Sequence, residues 1–187
     1  MRRVVAQMGV SLDGYFEGPD GDISWHRVDE EMLTHINQEL AAMSAFLFGR
    51  VTYEQMEAFW PTADQDPDSA PTTVEFAGIW RTMPKVVYSR TLATAGDNAT
   101  VVPDVVPDEV RALQAQPGGD MVLGGAALGA AFRRHDLIDE YRLYVNPVLL
   151  GRGHLLFGPG ETPTDLRLVE TRTFGNGVVL LRHERPR

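Results

Sequence analysis

Two segments of this chain repeat one design, in which a short apolar run meets one or two glycines and then a helical pattern. In the first, Ala45 to Phe48 is followed by Gly49, and Val51, Met56 and Phe59 then suggest a helix ending near Pro61. In the second, Asp120 to Leu123 passes through Gly124-Gly125 into Ala126 to Arg134, a small-residue helix with Leu128 and Phe132 on its inner face. Strands that alternate with helices build a mainly parallel sheet with helices packed on it, so the design constrains the chain to the α/β class.

The rest of the chain fits around these units. Arg3 to Val10 reads as a first strand, followed by a long loop marked by Ser11-Leu12-Asp13-Gly14 and Gly18-Pro19-Asp20-Gly21. From about Asp29, the apolar positions Met32, Leu33, Ile36, Leu40 and Met43 predict an amphipathic helix. Ala63 to Ala70 is an acidic loop, and Thr73 to Met83 reads as a helix. Lys85 to Tyr88 is a strand ending at Ser89-Arg90-Thr91, and a further strand covers Ala99 to Val102. Pro107 suits the first position of a helix through Ala115, where its missing N–H costs nothing, and Gly118-Gly119 ends that helix. After Asp139 the pattern changes. Glu140 to Val145, Leu166 to Phe174 and Val178 to Glu184 read as strands without long helices between them, which predicts antiparallel pairing at one edge of the sheet. Asn176-Gly177 predicts a hairpin with a type I′ turn, positive φ at both positions.

With 187 residues, 43% hydrophobic and 23% charged, one globular domain spanning residues 1–187 is expected. The net charge of −9 argues against broad attraction to nucleic acid or anionic membrane, so an anionic ligand must find particular arginines. The absence of cysteine excludes disulfides, thiolate nucleophiles and cysteine-ligated zinc. No apolar run approaches the roughly 20 residues of a membrane span, and a cytoplasmic location fits.

Three strand-to-loop junctions carry residues suited to a phosphorylated ligand, at the strand ends where open α/β sheets bind. Gly49-Arg50-Val51-Thr52-Tyr53-Glu54 opens a helix whose free N–H groups attract anions, with Arg50 and Thr52 placed to add direct contacts. Helix capping by Thr52 and Glu54 is the alternative there. Ser89-Arg90-Thr91 offers two hydroxyls and a planar guanidinium suited to a 2′-phosphate, although such tripeptides also occur in ordinary turns. Gly124-Gly125-Ala126 lets a pyrophosphate approach the backbone, or equally lets a helix pack closely on the sheet. No G-x-G-x-x-G occurs, which counts against an ordinary dehydrogenase domain. Neither H-E-x-x-H nor G-x-S-x-G is present, and Asp64, Asp66 and Asp68 lack the loop glycine of a calcium site. No metal is expected.

The ordered set Ser11-Leu12-Asp13-Gly14, Gly49-Arg50-x-Thr52-x-Glu54, Ser89-Arg90-Thr91-Leu92 and Gly124-Gly125 resembles the dihydrofolate-reductase superfamily. Together with Pro147-Val148-Leu149-Leu150-Gly151-x-Gly153 and Leu155-Leu156-Phe157, it is similar to the branch containing the riboflavin-biosynthesis pyrimidine reductase domain. The resemblance implies a three-layer dihydrofolate-reductase-like fold and an NADPH-dependent oxidoreductase acting on a small pterin- or pyrimidine-like heterocycle, such as a 5-amino-6-(5-phosphoribosylamino)uracil. By it, Gly49, Arg50, Thr52, Ser89, Arg90 and Thr91 hold the adenosine phosphate side. Gly124, Gly125, Ala126 and Leu128 hold the pyrophosphate, and Ala6 with Tyr15 or Phe16 meets the nicotinamide. Asp13, Trp25 and Asp29 become substrate contacts. Asp29 and Glu30 become candidate proton donors, although the acids at residues 29 to 31 also simply favour a helix N-terminus. Related reductase domains pair into homodimers, and the apolar carboxyl-terminal strands are available for that. The rival expectation is a non-catalytic protein that keeps the dinucleotide cleft; a purely structural module would have no dinucleotide affinity.

Overall fold

The computed structural model describes residues 1–159 and 163–186. Among the described residues, ten strands and five α-helices follow in the order β1 (Val4–Ser11), β2 (Tyr15–Glu17), α1 (Glu30–Leu40), β3 (Met43–Gly49), α2 (Arg50–Phe59), α3 (Pro71–Thr82), β4 (Lys85–Tyr88) and β5 (Ala99–Val102), then α4 (Pro107–Ala115), β6 (Asp120–Gly124), α5 (Ala126–Arg134), β7 (Glu140–Asn146), β8 (His154–Leu155), β9 (Arg167–Thr173) and β10 (Val179–Glu184). Eight of the strands form one sheet in the order β5-β4-β3-β6-β1-β7-β10-β9. Neighbours from β5 to β7 are parallel, whereas β10 runs antiparallel to both β7 and β9. This is the expected α/β architecture with its antiparallel edge.

Side chains of β3 alternate between the two faces. Ala45 and Leu47 join α4 and α5 residues such as Val110 and Phe132, while Phe46 and Phe48 join Leu40 of α1, Tyr53 of α2 and Trp80 of α3. Both faces are therefore buried, which is why the central strands read as continuous apolar runs. β6 occupies the place between β3 and β1, where Gly124 lies opposite Phe48. A Cβ on Gly124 would fall 2.6 Å from the Phe48 ring, so the pairing needs a residue without a side chain there.

Three local expectations are corrected. Met43 follows the helical spacing of α1 but begins β3, because α1 stops at Leu40 and the β3–β6 ladder starts at Met43 opposite Asp120. The loop after β1 contains β2, which pairs with β8 from the loop after β7. The β9–β10 connection is not a type I′ turn: among the described residues Asn176 has no positive φ, and only Gly177 of the pair does, at 88°. Gly177 N donates to Phe174 O at 2.9 Å, and Phe174 N donates to Val178 O at 2.9 Å. That pattern closes a three-residue loop with glycine in the left-handed position.

One largely buried ionic network joins β7, β10, α1 and the residue before β1. Glu140, with no exposed surface, accepts from Arg142 Nε at 2.6 Å and Arg182 Nε at 2.7 Å, and Arg3 lies 3.0 Å away. Arg142 also pairs with Glu39 of α1. Burial pushes the Glu140 carboxyl up, but the hydrogen bonds from Arg182 and Arg142 outweigh this and hold it below its ordinary 4.5. A depressed folded value contributes stability that is present above the ordinary value and is lost as pH falls through the folded one. Glu140→Ala should therefore lower the unfolding free energy in urea at pH 7 by about 2 kcal/mol, because Arg142, Arg182 and Arg3 lose the carboxylate they share and keep only Glu39, Glu170, and Asp120 with Glu184. The gap between wild type and variant should narrow when the titration is repeated below pH 4.

Candidate functional site

A cleft of about 660 Å³ opens along the carboxyl ends of β3, β4 and β6. Its base comes from the three junctions that follow those strands: Gly49 to Thr52, Tyr88 to Arg90, and Gly125 to Leu128. Pro103, Asp104 and Val105, after β5, line one side. Phe16 and Glu17 of β2, with His154 and Leu155 of β8 and the adjoining Leu156, line another.

The cleft brings two helix N-termini together. Gly49 caps α2 and Gly125 caps α5, and neither end has a side-chain cap. The first-turn N–H groups thus keep capacity for an anion, which the helix dipoles favour. Gly125 has φ 96°, and a Cβ there would lie 2.7 Å from Thr52 Oγ1, so the start of α2 rests against bare backbone at the start of α5. The neighbour at Gly125 is thus the start of another helix, whereas the sequence suggested a pyrophosphate or the packing of a helix on the sheet.

The side chains add positive charge to a protein whose net charge is −9. Arg50, Arg90 and Arg133 line the cleft together with His154, against the acids Glu17 and Asp104. Arg50 pairs with Glu54 at 2.7 Å and Arg90 with Asp104 at 3.7 Å, both exposed. Exposed pairs contribute little stability, so these guanidiniums can turn to a ligand at small cost. His154 Nδ1 lies 2.8 Å from Glu17 Oε1, and Arg133 sits over the Phe157 ring at 4.9 Å. Ser89 Oγ accepts from the backbone N–H groups of Thr91 at 3.1 Å and Leu92 at 2.9 Å, which holds the turn that carries Arg90. Burial, and then the charge of Glu109, push the Tyr88 hydroxyl up to about 12, so it is a neutral donor at the cleft base.

Of the residues expected from the sequence, Phe16, Gly49, Arg50, Thr52, Ser89, Arg90, Gly125, Ala126 and Leu128 line this cleft. Thr91 and Gly124 stand beside it in the turn and the strand just described. Ala6 is fully buried in the core, and Tyr15 pairs with Leu155 in the small β2–β8 sheet. Asp13 directs its carboxylate to Ser11 Oγ at 2.6 Å and to the backbone N–H groups of Leu150 and Gly151 at 3.1 and 2.8 Å. The Ser11 hydroxyl, followed by those backbone donors, holds the carboxyl below its ordinary value. Trp25 donates its indole N–H to Asp22 O and meets the His26 ring edge-on. Asp29 is the N-cap of α1, accepting from Met32 N at 2.9 Å, and Glu30 is the exposed first residue of that helix. Sequence reasoning passed over Glu17, Tyr88, Arg133 and His154. The available signals were Arg133 in the last turn of a small-residue helix and His154 directly after Gly151-x-Gly153.

If the paired helix ends form an anion site, inorganic pyrophosphate should raise the melting temperature. Gly125→Ala, which drives a methyl group toward Thr52, should weaken that binding by about tenfold, near 1.4 kcal/mol. Calorimetric titration checks this, and equal affinity in the two proteins would remove the site.

Comparison with known proteins gives a consistent result. The sequence model of the RibD C-terminal domain matches residues 2–180. The chain is 35% identical over 179 residues to the uncharacterized protein YyaP of Bacillus subtilis (strain 168), covering 95% of this chain and 92% of that protein. In fold it is similar to a putative riboflavin biosynthesis protein from Shewanella sp. PV-4, with a TM-score of 0.73, 21% identity and 99% of each chain covered. It is also similar to a diaminohydroxyphosphoribosylaminopyrimidine deaminase/5-amino-6-(5-phosphoribosylamino)uracil reductase from Thermotoga maritima, with a TM-score of 0.68 and 16% identity, over 99% of this chain and 57% of the other.

Proposed function

The chain belongs to the RibD C-terminal domain family, and from that premise we propose that it is an NADPH-dependent reductase of a small pterin- or pyrimidine-like heterocycle. The observation that carries the reading is the convergence of two helix N-termini without side-chain caps, Arg50, Ser89 and Arg90 on one cleft of an otherwise acidic protein. The fit to a dinucleotide rests on the two uncapped helix N-termini, which Gly125 allows to lie side by side because Thr52 packs where its side chain would stand. In this reading Gly125, Ala126 and the start of α5 hold the pyrophosphate, while Arg50, Thr52, Ser89 and Arg90 hold the adenosine phosphates. The bound dinucleotide supplies the hydride, and the chain binds, orients and excludes water. The pyrimidine class follows the uracil reductase named for the Thermotoga protein. We further propose a homodimer formed through the β9 side of the sheet, where Leu166, Leu168 and Val169 are exposed; light scattering of wild type against Leu168→Glu tests it.

Titration with NADPH and NADH, followed by fluorescence, tests the central reading. NADPH should bind more tightly than NADH, and the Arg50→Ala, Arg90→Ala double variant should lose at least about tenfold in NADPH affinity. Binding of neither nucleotide would leave only a shared fold.

One observation favours a second reading, a dinucleotide-binding protein without turnover: the candidate acid Asp29 is engaged as the cap of α1. Asp29→Asn separates the two, since asparagine caps a helix about as well as aspartate but carries no transferable proton. An acid role for Asp29 predicts a loss of kcat of about a hundredfold or more at unchanged melting temperature. Full turnover in the variant transfers that role to Glu30 or elsewhere, and no turnover in wild type across pterin and pyrimidine substrates supports the binding protein.

A further inference from the structure

We propose that Asp13 is a positioning residue that fastens the loop after β7 to the loop after β1, so that the two form one wall of the cleft. β1 and β7 run side by side and parallel, from Val5 opposite Glu140 to Ser11 opposite Asn146, so both loops leave the same edge of the sheet. Leu156 anchors the loop after β7 in the core, but Leu12, Leu149, Leu155 and Phe157 are all exposed. Polar contacts between the loops therefore fix the segment before Leu156. Leu12 N donates to Val148 O at 2.9 Å, Leu156 N donates to Gly14 O at 3.0 Å, and Tyr15 pairs with Leu155.

Asp13 supplies the charged part of this junction. Its carboxylate accepts the N–H of Leu150 on both oxygens at 3.1 Å and the N–H of Gly151 at 2.8 Å. Ser11 fixes the carboxylate, donating its hydroxyl to Asp13 Oδ1 at 2.6 Å while accepting Tyr15 N at 2.9 Å. Bonds to a charged acceptor are the stronger kind. The loop so held carries His154, Leu155 and Leu156 to the cleft, and Phe157 to the guanidinium of Arg133. Asp13 itself is not among the cleft-lining residues, so its influence on a ligand passes through the wall.

The consequence for dinucleotide binding rests on the NADPH reading, whereas the fastening itself does not. The test is amide hydrogen exchange and NADPH titration on wild type, Asp13→Ala and the shape-conserving Asp13→Asn. Exchange at Leu150 and Gly151 should accelerate in both variants, and NADPH affinity should fall by about tenfold in Asp13→Ala. A second measurement asks whether the tie, and not the carboxylate, is what matters. The chain has no cysteine, and opposed residues of an antiparallel pair lie within disulfide reach, so Tyr15→Cys with Leu155→Cys can be placed in the Asp13→Ala background. Oxidation of that protein should restore NADPH affinity to that of the oxidised Tyr15→Cys, Leu155→Cys protein that keeps Asp13, and reduction should abolish it again. Unchanged exchange at Leu150 and Gly151 in both variants overturns the fastening. Affinity that stays at the wild-type level in Asp13→Ala, or that is not regained on oxidation, overturns the positioning role. If wild type binds no dinucleotide, the cofactor reading fails while the exchange result still decides whether Asp13 holds the wall.

Discussion

The insertion of β6 between β3 and β1 is the constraint on which the rest of this structure depends. The chain runs outward through β3, β4 and β5, then returns to place β6 in the middle of the sheet before continuing to β7 beyond β1. A reversal of strand order of this kind opens a crevice at the carboxyl ends of the flanking strands. Here β6 fits because Gly124 presents no side chain to Phe48. The next residue, Gly125, then starts α5 directly beside the start of α2. One local need for small residues thus sets both the packing of the sheet centre and the geometry of the cleft above it.

The ionic groups divide by their surroundings. Glu140, Arg142 and Arg182 are tied into a network that burial makes hard to rearrange, and it lies where β1, β7, β10 and α1 must stay in register. The cleft pairs Arg50–Glu54 and Arg90–Asp104 are exposed, so water stands ready to replace either partner. The first kind of charge maintains the sheet against which the loops are placed. The second leaves cations available without leaving them bare, which lets an acidic protein offer a local site for a polyanion.

Much of the fold was legible because its signals are local. A strand, a glycine turn and a helix occupy consecutive residues, so the units around Gly49 and Gly125 could be read directly, as could the helix started by Pro107 and the hairpin before Val179. The base of the cleft followed, since its residues are the junctions themselves. The wall did not. β2 and β8 are three and two residues long and pair across more than a hundred positions, so neither has a periodicity to detect. Asp13 in a Ser-Leu-Asp-Gly turn gives no hint that its partners are Leu150 and Gly151. Met43 shows the opposite failure, a residue in phase with the helix before it but claimed by a ladder with Asp120 that only the tertiary fold supplies.

The same division separates the base of the cleft from its surroundings. Residues at the base of the cleft are held by strand ends whose positions the hydrogen-bonded ladder enforces, so the base is a rigid surface. Residues around the remainder stand on loops, and their directions depend on contacts such as the Asp13 carboxylate and the β2–β8 pair. Asp29 is not among the cleft-lining residues: it is set by the helix it caps, and α1 packs on the opposite face of the sheet from α5. A proton donor in such a place must reach the reacting atom by way of the substrate's own position. On the proposed reading, cofactor recognition would rest on the strand ends and protonation on the α1 side, so loss of the second would leave the first intact.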